Sequence, residues 1–135
     1  MKDIRKSGIA MLVAGALTVY GQTNLLPNGG FEAGEKSPAG WTLSNAACGA
    51  WLKAGGIDDS ACLRVMGNGT NSCSWESQPV DFLPNRLYRL SFNVRGEEAG
   101  GCTVVSGPSF ANVDIGVPGK EWAHCANVFV TPQRK

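Results

Sequence analysis

The sequence predicts an all-β fold, an antiparallel β-sandwich or jelly roll, on the basis of three observations. Residues 87–95 (LYRLSFNVR) alternate apolar and polar side chains, the period-two pattern of a strand with one buried face. Shorter β-like segments recur between turns that contain Gly or Pro. The chain has 18 Gly and 7 Pro, which interrupt nearly every stretch of ten residues after residue 25, so no helix is predicted.

The predicted strands follow one another at short, turn-bounded intervals. In the predicted strand Ala61–Met66, Leu63 and Val65 lie on one side, and a Gly-Asn-Gly turn follows. The predicted strand Ser77–Leu83 is followed by a turn at Pro84-Asn85. The predicted strand Leu87–Arg95 has on its buried face Tyr88, Leu90, Phe92 and Val94. In chain order the predicted strands are Trp41–Leu43, Ala61–Met66, Ser77–Leu83, Leu87–Arg95, Thr103–Val105, Asn112–Val117 and Asn127–Thr131.

Composition and charge restrict the class of protein. A chain of 135 residues suits one small domain, and 43% hydrophobic residues argue against disorder. The formal net charge is +1, and beyond residue 21 there are nine basic and ten acidic residues. Because this balance leaves no basic footprint, we expect no nucleic-acid partner and no binding to an anionic membrane surface.

The N-terminus has the layout of a secretory signal. A short basic segment, 1–7, precedes a 13-residue apolar run at 8–20 (GIAMLVAGALTVY), and small residues follow. This run is shorter than the roughly 18 residues that a membrane span needs. We therefore predict cleavage after Gly21 and a mature chain, 22–135, that is secreted, periplasmic or at the cell surface. A buried N-terminal helix is the alternative interpretation.

Export permits disulfides, and all five cysteines lie in the predicted mature chain. An odd number means that at least one thiol stays free or pairs between chains. Cys62 and Cys73 flank a Gly67-Asn68-Gly69 turn and could pair across a hairpin. The alternative is that each cysteine is a small buried hydrophobe. The five are Cys48, Cys62, Cys73, Cys102 and Cys125.

Several segments, in order, resemble a known family. They are NLLPNGGFEAG at 24–34, Gly40-Trp41, CLRV at 62–65, SQPV at 77–80, PNRLYRLSF at 84–92, Trp122 and VFVTP at 128–132. This series resembles the CenC-type carbohydrate-binding modules, which have a galactose-binding-domain-like jelly roll, and it covers residues 24–132. The resemblance implies a non-catalytic module that binds polysaccharide or oligosaccharide and serves a secreted polysaccharide-active protein such as a glycoside hydrolase.

The resemblance also implies features that this chain matches only in part. Domains of the family continue past the Val-Thr-Pro segment with two further strands and an acidic pair, whereas this chain ends at Gln133-Arg134-Lys135. Either the chain is a fragment, which we expect, with further domains in the same polypeptide, or the sheet lacks strands. Many relatives hold a structural Ca²⁺ near the first strand, where Glu32 matches, and at the acidic C-terminal strand, which has no counterpart here.

Catalysis is not expected from these residues. The one histidine, His124, has no G-x-S-x-G nucleophile motif to accompany it. Glycoside hydrolysis needs two carboxylates at a set separation, but Asp58-Asp59 and Glu97-Glu98 are adjacent pairs in Gly-rich loops, where charges are usually solvated. A small hydrolase is therefore the weakest of the functional hypotheses.

Sugar binding requires aromatic faces for the C–H surface of a pyranose and planar polar groups for its hydroxyls. Trp41 and Trp122 match positions that the family fills with core aromatics, so we interpret both as structural. Trp51 and Trp75 lie outside the motifs, in or beside loops, and are the predicted platforms. The polar candidates are Glu76, Gln78, Arg89, Asn93 and Arg95. The rival hypothesis is a structural or protein-interaction sandwich that acts as a spacer.

Overall fold

The computed structural model describes residues 10–14, 23–67, 73–97 and 103–133. These ranges contain strands and two short 3₁₀ turns, Ala46–Cys48 and Ile57–Asp59. No helix within them is long and apolar enough to cross a membrane. The strands are β1 Ala10–Ala14, β2 Trp41–Leu43, β3 Gly49–Leu52, β4 Cys62–Val65, β5 Trp75–Ser77, β6 Leu87–Val94, β7 Val105–Ser106, β8 Val113–Asp114 and β9 Ala123–Val130.

The strands form small antiparallel sheets, so the predicted all-β class is confirmed. The largest sheet has the order β1-β6-β9, and β6 pairs with β9 along its whole length. Three two-stranded sheets accompany it in the described ranges: β2-β5, β3-β4 and β7-β8. The β6-β9 pair is the longest strand pairing in the described ranges.

An aromatic core lies on one face of the β6-β9 pair. Tyr88 is opposite Phe129 in register, and their rings stack at 5.9 Å between centroids. Phe82 meets both rings edge-on, at 4.9 and 5.7 Å. Such edge-to-face and offset contacts are the favoured geometries for aromatic pairs. The buried cluster consists of Leu26, Trp41, Tyr88, Leu90 and Phe129.

The predicted alternation of β6 is clear from Tyr88 to Leu90, whereas Phe92, Asn93 and Val94 are all half-buried. Tyr88 and Leu90 are buried and Arg89 is exposed, as a period of two requires. Ser91, which we expected on the solvent face, is buried instead. It is paired with Ala126 of β9 on one side and with Ala10 of β1 on the other.

The predicted strand at Ser77–Leu83 is wrong. The strand β5 covers Trp75–Ser77, and the chain leaves the sheet after the Gln78 N–H donates to the Gly40 carbonyl at 2.8 Å. Pro79 has no N–H with which to continue a ladder. The segment 78–83 instead packs Val80 and Phe82 against the aromatic core.

Other boundaries also differ from the prediction. Trp51, expected in or beside a loop, lies within β3, and Trp75 lies within β5. The strand β9 begins at Ala123, before the expected Asn127, because its first residues continue the pairing with β6. The strands β7 and β8 are each two residues long, shorter than predicted or shifted.

The disulfide joins Cys48 to Cys73, with 5.9 Å between their Cα atoms, and not Cys62 to Cys73. The pairing of β2 with β5 explains the choice, because the Ser44 N–H donates to the Ser74 carbonyl and carries Cys73 to the end of the first 3₁₀ turn. Cys62 and Cys125 are free thiols. Cys102 and the tip of the predicted Gly67-Asn68-Gly69 turn lie outside the described residues, as does Glu98.

Of the predicted leader, 1–21, only residues 10–14 are described, and they form β1. This strand is antiparallel to β6, with register partners from Ala10 and Ser91 to Ala14 and Leu87. The predicted cleavage point after Gly21 lies outside the described residues. Export therefore stays a prediction.

Candidate functional site

A polar and aromatic cluster lies on the face of the β6-β9 pair opposite the core. Asn93 is paired with His124, and Arg95 and Trp122 lie two residues further along, just past the last paired residues, Val94 and Ala123. The His124 Nδ1 and Asn93 Oδ1 atoms are 3.3 Å apart, and the Arg95 Cζ atom is 5.1 Å from the centroid of the Trp122 ring. We call Asn93, Arg95, Glu97, Trp122 and His124 the Trp122 patch.

The electrostatics of the Trp122 patch leave its polar groups accessible. The Arg95 Nη2 atom lies 3.3 Å from Glu97 Oε1, and the two side chains are 36% and 62% exposed. An ion pair so exposed contributes at most about 1 kcal/mol, so Glu97 does not remove Arg95 from other partners. A cation–π contact at an exposed site contributes a similar amount. The patch therefore combines a half-buried ring with guanidinium, amide and imidazole groups at the surface.

Arg89, predicted with Asn93 and Arg95, shares their face but not their neighbourhood. It lies four residues before Asn93, which at about 3.3 Å per residue places its Cα roughly 13 Å away. Its register partner in β9 is Val128, which is 55% exposed. The surroundings of Arg89 are thus apolar, and we do not include it in the Trp122 patch.

Trp51, a predicted platform, is half-buried and already has two partners. Its Nε1–H donates to the Phe31 carbonyl at 2.9 Å. The Lys53 Nζ atom lies 3.2 Å from the ring centroid and also donates to the Gly34 carbonyl at 3.3 Å. The indole N–H and one face of the ring are therefore engaged inside the protein.

Trp75, the other predicted platform, is half-buried against the aromatic core. Its Nε1–H donates to the Arg64 carbonyl at 3.1 Å. Glu76 accepts from the Ser74 hydroxyl at 3.2 Å, and Gln78 is exposed. Because successive side chains of a strand point to opposite faces, Trp75 and Glu76 do not share a surface.

Glu32 does not complete a calcium site with the described residues. Its Oε1 atom accepts from the Ala61 N–H at 2.9 Å and so links the first loop to the start of β4. The flanking carbonyls of Phe31 and Ala33 also accept hydrogen bonds, from Trp51 and Ala39 respectively. No group of three His, Cys, Asp or Glu side chains that could hold a metal occurs in the described ranges. Ca²⁺ takes six to eight oxygen ligands, backbone carbonyls among them, so a calcium site at Glu32 stays a prediction.

The thiol of Cys62 lies within the electrostatic reach of the Trp122 patch. Burial raises the pKa of this thiol, and the nearby Arg95 guanidinium lowers it in part. Because the thiolate is the reactive form, a raised pKa makes Cys62 a poor nucleophile at neutral pH.

No protein-family model, curated protein or solved structure matches this chain. The resemblance to CenC-type modules therefore depends on the motifs alone.

Sequence reasoning missed three members of the Trp122 patch. It interpreted Trp122 as a core aromatic, considered His124 only as a catalytic residue without a nucleophile motif, and interpreted Glu97 as a solvated charge. The available signal was the spacing of two residues between Trp122 and His124, with Trp122 directly before the first residue of β9, Ala123. Finding them required the register that pairs Asn93 with His124, which composition does not provide.

Proposed function

We propose that this protein is a non-catalytic carbohydrate-binding module with the jelly-roll sandwich of the CenC-type family. In this proposal it is exported and tethers a linked polysaccharide-active domain to its polymer. A weak contact suffices for that role, because linkage raises the effective concentration of the second domain at the polymer surface. The ordered series of motifs and the small antiparallel sheets support this assignment.

The Trp122 patch is the observation that carries the proposal. An indole ring can stack on the apolar face of a pyranose, while Arg95, Asn93 and His124 can hydrogen-bond its hydroxyls. Asn93 and His124 extend from two paired strands, so the backbone pairing sets their spacing. Arg95 directly follows β6, and Trp122 directly precedes β9. Arg95 lies over the Trp122 ring as Lys53 lies over that of Trp51. Trp51 and Trp75 are in addition fixed by N–H bonds to backbone carbonyls. We therefore assign the primary sugar contact to Trp122.

A second candidate function is a structural or protein-interaction spacer. It is favoured by the apolar side chains on the same outer face of β9, where Val128 and Val130 are 55% and 57% exposed. Neighbouring exposed apolar residues of this kind are common at protein interfaces. This candidate needs no glycan.

The test begins with a glycan-array screen of the 135-residue chain, followed by calorimetric titration of the best ligand. We expect a dissociation constant in the micromolar to millimolar range. Loss of a stacking anchor costs about 2 kcal/mol, so Trp122→Ala is expected to weaken binding about thirtyfold. Val128→Ala, on the same face of β9 but outside the patch, is the matched control and is expected to bind as the parent does.

Parallel variants locate the site. Trp51→Ala and Trp75→Ala test the platforms that the sequence predicted, with circular dichroism to confirm folding. If either loses binding while Trp122→Ala keeps it, the protein binds sugar but not at the Trp122 patch. A folded parent that binds no glycan contradicts the proposed function and supports the spacer.

A further inference from the structure

The edge of β6 that faces away from β9 is the unusual feature of the main sheet. β6 contains the buried residues Tyr88 and Leu90, yet between residues 23 and 133 its partner among the described strands is β9 alone. Strands that carry the core are normally paired on both sides, because an open edge presents unpaired N–H and C=O groups. β1 fills this position here.

The pairing of β1 shows what the edge accepts. β1 is AMLVA, five uncharged residues that pair antiparallel with Leu87–Ser91. Leu12 is opposite Arg89, whose partner on the other side is Val128.

The strand β1 belongs to a part of the chain that export would remove. β1 lies inside the apolar run, 8–20, that the sequence predicts to be a secretory leader. Cleavage after Gly21 would remove β1 and leave Leu87–Ser91 with an unpaired edge. Addition of a strand to such an edge is a common mode of peptide recognition, in which backbone hydrogen bonds supply the affinity.

We propose that the edge of β6 that faces away from β9 is a strand-acceptor site. It is filled by β1 while the N-terminal segment is attached, and it binds an extended, uncharged apolar segment of another polypeptide when that segment is gone. The partner pairs antiparallel with Leu87–Ser91, as β1 does.

The test uses the full 135-residue chain, produced without export so that residues 1–21 remain. The perturbing variant is the double substitution Met11→Pro, Leu12→Pro. Neighbouring residues in a strand direct their N–H groups to opposite sides, so one of these two residues donates its N–H to β6, and proline removes that donor. Hydrogen exchange of the β6 amides is read by NMR. We expect the alternate amides that face β1 to exchange at least tenfold faster, while those bonded to β9 stay protected. Leu17→Pro, beyond the five paired residues, is the control.

The acceptor property is then tested in trans on the double-proline variant. The probe is a synthetic peptide of residues 8–20 with terminal lysines for solubility, and its control carries proline at positions 11 and 12. We expect the first peptide to restore protection to the exposed set of β6 amides and the second to leave it unchanged. Equal exchange in parent and double variant overturns the proposal, as does loss of protection throughout the protein. Failure of the peptide to restore protection overturns acceptance of a strand from another polypeptide.

Discussion

The thiol of Cys62 is subject to opposing effects at a single atom. Burial raises its pKa and is the larger effect, while Arg95 lowers it. The thiolate population at a given pH is therefore smaller than in an unfolded chain. The same shift means that the unfolded chain loses this proton first, so the contribution of Cys62 to stability is present at neutral pH and declines as the pH rises past the unfolded pKa.

We predict slow alkylation of Cys62 at pH 8, with a rate that still increases above pH 9. Peptide-resolved mass spectrometry after iodoacetamide treatment measures this cysteine separately from the others. Arg95→Gln is expected to slow the reaction further, because it removes the charge that favours the thiolate. The urea-unfolded chain is the control, and an equal rate in folded and unfolded chains would contradict the assignment.

The members of the candidate site differ in how far the sequence could reveal them. Asn93 and Arg95 follow from the alternation in 87–95, which marks one face as polar. Trp122 could not be assigned in that way, because its face depends on a pairing between residues about thirty positions apart. Cys73 presents the same difficulty: its partner is set by the contact of β2 with β5, which no local pattern encodes.

At the scale of elements, the turn between 83 and 86 is attached to Thr131, directly after β9, by two backbone hydrogen bonds and by the buried Thr131 hydroxyl. The Thr131 Oγ1–H donates to the Leu83 carbonyl at 2.6 Å, and Oγ1 accepts from the Arg86 N–H at 2.9 Å. Thr131 is 4% exposed, so water does not replace these bonds if the hydroxyl is lost. This clamp connects the turn before β6 to the strand that β6 pairs with.

We predict that Thr131→Val lowers the free energy of unfolding by about 1–3 kcal/mol. Valine keeps the shape but leaves the Arg86 N–H and the Leu83 carbonyl without this partner. Urea denaturation followed by circular dichroism measures the change. Thr131→Ser keeps the hydroxyl and is expected to lose less, and equal losses for the two variants would show that the methyl group, not the hydroxyl, matters.

Prediction of the elements succeeds where periodicity is long and fails where one residue overrides it. The alternation in 87–95 predicts β6 to within one residue of its observed end at Val94. The segment 77–83 has β-like composition, but Pro79 ends its pairing. β3 was not predicted because Gly49 and the glycines after it indicate a loop, whereas the chain pairs Gly49–Leu52 with β4.

At the scale of the whole molecule, the described residues contain a small core and one disulfide cross-link. The buried hydrophobic cluster has five members, and several valines remain exposed. A domain of this size buries about two thirds of the surface of its unfolded chain, so its stability margin is narrow. The Cys48–Cys73 disulfide closes a loop with a sequence separation of 25, which contributes about 3–4 kcal/mol in the chain-entropy estimate.

We therefore predict that Cys48→Ala together with Cys73→Ala lowers the Tm by roughly 10 °C. The comparison uses differential scanning calorimetry of the parent, the double variant and the parent with a reductant present. Reduction is expected to reproduce the double variant. An unchanged Tm in both would mean that the cross-link does not restrict the unfolded chain.

The Cys48–Cys73 disulfide also determines what happens when the backbone is cut between its two cysteines. The strands β3 and β4 lie between its two cysteines, so any backbone cut from residue 49 to residue 72 leaves the pieces joined through sulfur. A nicked molecule keeps its mass, apart from one added water, and keeps both halves of its core until a reductant reaches the bond. A cut in this region therefore breaks the backbone without separating the molecule into two pieces. The pieces separate only where a reductant cleaves the Cys48–Cys73 bond.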